Sequence, residues 1–150
     1  MKFLRRLVLG LGFGLALGAG EGPPFVHDPA AKARLLGVHG FTCQWVQWGK
    51  EKGRVEVTEA QGRLRIKGEQ VARRTGDRVL IDGEILEVKA KSFRFRGRIV
   101  LQVTHLNGGR PCERSGDFDF QIRGGRRFWR MHPMENPCDP PVVDYVDVHF

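Results

Sequence analysis

Two rows of cations stand out as residues whose type and spacing could do chemistry. Arg63, Arg65 and Lys67 recur at every second position, as do Arg94, Arg96 and Arg98, and Lys89 and Lys91 repeat the step. In an extended strand a two-residue step returns side chains to the same face, so each row points its charge in one direction. If the strands carrying them are neighbours, the rows merge into a basic patch that attracts a polyanion such as lipopolysaccharide, an acidic polysaccharide or extracellular nucleic acid. The competing reading makes them the wet faces of amphipathic strands, with Glu56, Glu87, Asp117 and Asp119 as cross-strand partners. Phe93 and Phe95 alternate with the arginines and so face the other way, which leaves no aromatic platform beside the cations and argues against a specific nucleic-acid partner.

The titratable residues near the C-terminus are a second group. Asp147 and His149 share a face, and Asp144 lies close in sequence, but two ligands on one strand do not make a site. A solvated final strand accounts for them. His105, His132 and Glu135 have no partner identifiable from spacing. The sequence holds no Gly-x-Ser-x-Gly, no His-Glu-x-x-His, no Cys-x-x-Cys and no phosphate-cradling glycine loop. No metal or cofactor is therefore expected, and binding is favoured over catalysis. The alternative is an enzyme whose site is assembled from residues scattered along the chain.

Cys43, Cys112 and Cys138 allow one intramolecular disulfide. Cys112 follows Gly108-Gly109-Arg110-Pro111, and Cys138 sits in Asn136-Pro137-Cys138-Asp139-Pro140, so both belong to irregular segments able to meet disulfide geometry. Cys43 shares a face with Phe41 and Trp45, a core position. The expected bond is Cys112 to Cys138, with Cys43 buried and reduced.

An oxidising compartment favours such pairing, and the N-terminus points to one. Basic Met1-Lys2-Phe3-Leu4-Arg5-Arg6 precedes the uncharged run Leu7 to Gly20, with Gly18 and Gly20 as small residues before a cut at Glu21. This is the pattern of a signal peptide over residues 1–20, shorter and richer in glycine than a membrane span. Its removal takes three basic residues and no acidic one, leaving 22 Lys and Arg against 17 Asp and Glu. The mature chain is expected to be periplasmic or secreted, without a membrane span.

The elements that must position these residues follow from period and punctuation. Residues 21–27 read as a flexible lead-in, and residues 28–150 as a single domain. Asp28, Pro29 and Gly37 mark the cap, first turn and stop of a short helix at about residues 28–36. From Phe41 onward the period is two. Val55 and Val57, Leu64 and Ile66, Leu86 and Val88 and Ala90, Phe93 and Phe95, and Phe118 and Phe120 form inward sets between charged residues. Ala60-Gln61-Gly62, Thr75-Gly76-Asp77, Asp82-Gly83, Gly108-Gly109 and Gly124-Gly125 read as turns, Asp82-Gly83 as the strongest hairpin signal. Gly97 predicts a bend in its strand. Phe128 faces opposite Trp129 and Met131, so that strand has apolar residues on both faces, the second covered by the helix or lining a cavity; Trp45 and Trp48 complete the tryptophans. The expected fold is all-β, an antiparallel meander closed or nearly closed into a small barrel, with a two-sheet sandwich as second choice.

The segments Cys112-Glu113-Arg114-Ser115-Gly116, Phe128-Trp129-Arg130-Met131, Met134-Glu135-Asn136-Pro137-Cys138 and Asp144-Tyr145-Val146-Asp147 resemble the C-terminal part of small uncharacterised exported bacterial proteins. The resemblance carries no activity; it implies the compartment and the cysteine pairing. Thr42 stands where the lipocalin Gly-x-Trp opening would place a tryptophan after Gly40. The expected function is thus an exported binding or structural domain of the cell envelope that recognises a polyanion through a basic strand face. The terminal Val146, Val148 and Phe150 also resemble the closing strand of an outer-membrane barrel, the other alternative, in which the apolar faces meet lipid and the charged faces line the lumen.

Overall fold

The computed structural model describes residues 22–46 and 52–150. The expected signal peptide, its cleavage site and Trp48 lie outside the described residues. Asp28 opens the short helix α1, Pro29–Leu35, by accepting a hydrogen bond from the Ala31 N–H at 2.8 Å. Pro29 occupies its first turn, and Gly37 (φ +104°) leaves it in a conformation other residues resist. Leu35 is buried, whereas Leu36 stays exposed.

Strands follow in the order β2 Gly37–Cys43, β3 Gly53–Ala60, β4 Arg63–Val71, β5 Arg78–Lys89, β6 Ser92–Gln102, β7 Cys112–Gln121, β8 Phe128–His132 and β9 Val146–His149. Each pairs antiparallel with the next, and β9 returns to β2 through Gly40↔His149 to Cys43↔Val146. The result is an eight-strand up-and-down barrel, closed as the period of two predicted. A ninth strand, β1 Phe25–Val26, adds to the outside, parallel to β5 through Phe25↔Glu87 and Val26↔Val88. The segment read as a flexible lead-in thus covers the part of β5 that extends past β4.

The inward faces fill the barrel. Phe41, Phe93, Phe95, Phe120, Ile66, Ile81, Ile99 and Met131 are buried almost completely. Phe93 stacks on Phe120 with ring centroids 4.8 Å apart, and Trp129 meets Phe93 edge-on at 5.8 Å. Outward stand Arg65, Arg94, Arg96 and Arg98, each about half exposed at its side chain. Charge outside and aromatic residues inside is the reverse of a lipid-facing barrel.

One turn reading and one inward set change. Asp82-Gly83 is no hairpin but the middle of β5, where Gly83 pairs with Gly97 of β6, and Gly97 in turn with Gly116 of β7. A Cβ on Gly83 would lie 2.5 Å from the Phe95 ring and 2.3 Å from the Arg96 carbonyl oxygen, so this glycine makes room for the core. The actual hairpin between β5 and β6 turns at Ala90 and Lys91. The register also slips between Ile85 and Glu87. At that bulge the inward side passes from Ile85 to Val88, leaving Leu86 half-buried and Ala90 exposed where simple alternation placed them inside.

Candidate functional site

The two cation rows occupy β4 and β6, and β5 lies between them. They do not merge. The outward residues of β5 include Asp82, Glu84 and Glu87 between Arg78 and Lys89 at its ends, and those of β7 include Glu113, Asp117 and Asp119, so the basic rows of β4 and β6 alternate with carboxylates on β5 and β7. Arg96 places Nε and Nη2 at 2.6 and 2.8 Å from the two carboxylate oxygens of Asp117, and Arg94 holds Asp119 at 3.1 Å. Arg65 reaches Asp82 at 3.0 Å and Glu84 at 3.6 Å, Arg63 reaches Glu84 at 3.5 Å, and Arg98 reaches Glu113 at 3.6 Å. Lys67, opposite Asp82 in the register, makes no ion pair among the described residues. The hydrogen bond from Arg96 pulls the Asp117 carboxyl below its ordinary range, and the same bond pushes Arg96 further up. The cross-strand partners expected for the arginines were named correctly in Asp117 and Asp119; Asp82, Glu84 and Glu113 were missed, because naming them requires the register.

Alternation continues onto β8 and β9. Arg130 donates through Nε and Nη2 to Asp147, both at 2.8 Å. Its guanidinium lies 4.1 Å from the Tyr145 ring centroid and 5.1 Å from that of Phe128. Asp147 is buried. The last strand is therefore not solvated as the sequence reading expected, because the Arg130 side chain lies over Asp147 and those of Thr42 and Phe128 lie against His149. His149 shares a 2.7 Å hydrogen bond with the Thr42 hydroxyl, and burial followed by Lys52 pushes its pKa down. The outer face of Phe128 is covered by Arg126, Arg130 and His149 rather than by the helix.

Asp144 belongs to a different, internal cluster. It is buried beside Asn136, Trp45 and Arg114, receiving hydrogen bonds from Trp45 at 3.2 Å and Asn136 at 3.3 Å. Burial pushes its pKa up, against those bonds and the Arg114 charge. Arg114 also donates to the Pro133 carbonyl at 2.8 Å, so the cluster pins the long β8–β9 connection to the barrel end. The same connection is fastened by the Cys112–Cys138 disulfide. The pairing is the expected one, and Cys43 is free and buried. Burial raises the Cys43 thiol to about 12.

With this barrel and its stapled connection described, the comparisons with other proteins can be placed on it. A family model described as the PM1083 family matches residues 23–150, all of the barrel, the helix and the disulfide. The chain belongs to the PM1083 family. One PM1083 relative, "Uncharacterized protein PM1083" of Pasteurella multocida (strain Pm70), is 39% identical over 117 residues, covering 78% of this chain and 74% of the relative. No solved structure matches the chain. Membership in the PM1083 family agrees with the resemblance to small uncharacterised bacterial proteins and assigns no activity.

Proposed function

We propose that this chain is an exported domain of the cell envelope that binds an anionic component on the outside of its barrel. The observation that carries the reading is the division of the fold: the interior is a packed core of phenylalanine and aliphatic side chains, and the charge, apart from the buried Arg114–Asp144 pair at the barrel end, is mostly on the outer strand faces. A ligand-carrying lumen is filled by Phe41, Phe93, Phe95 and Phe120, which leaves the surface as the place for recognition.

The cross-strand ion pairs set how such binding works. A surface ion pair is worth about 0 to 1 kcal/mol, because water competes for both ends. Arg94 and Arg96 can therefore turn from Asp119 and Asp117 toward sulfate or phosphate groups at small cost, and Arg63, Arg65, Lys67 and Arg98 add to the field. Neighbouring carboxylates keep the attraction modest and dependent on salt. Export is supported by the basic and then apolar N-terminal sequence and by a disulfide of a kind that persists in oxidising compartments.

The test is retention on a heparin column under a salt gradient, for the wild-type protein and an Arg94→Ala, Arg96→Ala variant. Earlier elution of the variant supports the reading. Unchanged retention, or no retention of the wild type at low salt, removes it. Recovery of the protein in the cytoplasmic fraction of cells would overturn the location.

A further inference from the structure

On the outer wall between β7, β8 and the start of β9 lies a depression of about 210 Å³, lined by Gln121, Arg123, Arg126, Arg130, His132 and Tyr145 among others. That volume is smaller than the several hundred Å³ of a drug-sized pocket and suits one compact chemical group. Its charge balance differs from that of the neighbouring strand faces. Arg130 is already matched by Asp147, but Arg123 and Arg126 have no carboxylate at ion-pair distance among the described residues. Arg123 points Nε and Nη2 at the amide oxygen of Gln121, both at 3.3 Å, and Arg126 lies over the Phe128 ring. Both arginines are exposed and stand in the turn between β7 and β8.

We infer that this depression binds a single phosphate group, free or carried on a lipid headgroup, through Arg123 and Arg126 against a wall formed by Arg130, His132 and Tyr145. The inference rests on the reading that the protein binds anions on its outside, and it names a different set of residues. Two uncompensated guanidiniums match the negative charge of a phosphate group, monoester or diester, and the forked donors of arginine fit its oxygens. A phosphate oxygen would replace the neutral Gln121 oxygen now facing Arg123, exchanging a long hydrogen bond for a charge-assisted one. His132 reports on the local potential. Its buried Nε2 has no hydrogen-bond partner among the described residues, and burial, then Arg123 and Arg130, lower its pKa against the opposing influence of Asp119 and Glu135. A bound anion would relieve the part of that depression due to the arginines.

The experiment follows the His132 imidazole resonances of the full chain at constant ionic strength, with inorganic phosphate in one arm and vesicles containing phosphatidylglycerol in the other. Chloride and pure phosphatidylcholine vesicles are the baselines, and the His149 resonances report that each variant is folded. Saturable His132 shifts with inorganic phosphate, weakened on the order of tenfold in Arg123→Ala and in Arg126→Ala but retained in Arg94→Ala, Arg96→Ala, support the site. A response to the phosphatidylglycerol vesicles alone, with the same dependence on Arg123 and Arg126, supports it with the lipid as the source. No His132 response in either arm, or one that survives both single substitutions, overturns it. Because the Arg94 and Arg96 variant is scored separately on heparin, failure of the strand-face reading and failure of this site are distinguishable.

Discussion

Arg130 and Asp147 meet edge to edge across β8 and β9, two nitrogens on two oxygens at 2.8 Å each, beneath the Tyr145 ring. Their side chains are only 17% and 9% exposed, so this pair is screened less by water than the arginine pairs on β6. Removing one partner leaves the other partly buried and unmatched. Arg130→Met is expected to lower stability by about 2 to 3 kcal/mol, and Asp147→Asn by a similar amount. The double variant should lose less than the sum. Urea unfolding of the four proteins measures the coupling, and simple additivity would show that the contact contributes nothing of its own.

The glycine line across β5, β6 and β7 makes a contrasting pair of substitutions. A Cβ on Gly97 would lie 2.3 Å from the Asp82 carbonyl oxygen and 2.6 Å from the Gly83 Cα, whereas one on Gly125 meets nothing within 4 Å. Gly97→Ala should therefore destabilise by about 1 to 3 kcal/mol, as overpacking does. Gly125→Ala should change little. Equal melting temperatures for the two variants would contradict the close approach of these strands.

The three cysteines should behave in two ways. With the disulfide intact, Cys43 at 0% exposure and a thiol raised to about 12 should resist thiol reagents until the barrel unfolds. Replacing Cys112 and Cys138 together by serine, which opens a loop of sequence separation 26, should cost about 3 kcal/mol. Reagent titration before and after denaturation, alongside melting of the double variant, checks both. Rapid labelling of the native protein would contradict the burial of Cys43.

Mild acid should weaken the fold through two histidines. Burial lowers the pKa of both His132 and His149 below the ordinary value of 6.5, so the unfolded chain takes up protons before the folded one. Their contribution is present above pH 6.5 and is lost as pH falls from there toward the lowered folded values. Asp144, raised by burial, acts in the opposite sense: its effect favours the folded state at more acid pH and fades as pH rises through the raised value. Stability measured from pH 7.5 to 5.5 should decline, and His149→Asn should flatten the decline. A flat wild-type profile would contradict the assignment.

Much of the barrel was legible because β3, β4, β6 and β7 each bury one face, and a two-residue rhythm records that directly: Val55, Leu64, Phe93 and Phe118 face inward as the alternation predicts. Asp82-Gly83 was misread because glycine marks close packing as readily as a turn, and the sequence does not distinguish the two. The bulge at Leu86 is equally hidden, since one extra residue shifts a face without changing composition. At the candidate sites the difficulty is adjacency. Whether Arg63 and Arg94 reinforce one another depends on what stands between them, and only the strand order puts the carboxylates of β5 there. The Arg130–Asp147 pair and the arginines around His132 join short strands and a turn, where no periodicity marks which residues meet.

The central claim is that recognition happens on the charged exterior of a barrel whose interior is core. Titrating the amide spectrum of the labelled protein with a heparin-derived oligosaccharide tests it most directly. The account predicts saturable, salt-sensitive shifts at the outward positions of β4 and β6, centred on Arg65, Arg94 and Arg96, with Phe41 and Phe120 unmoved. An unchanged spectrum at low salt, or shifts confined to the inward residues, would contradict it.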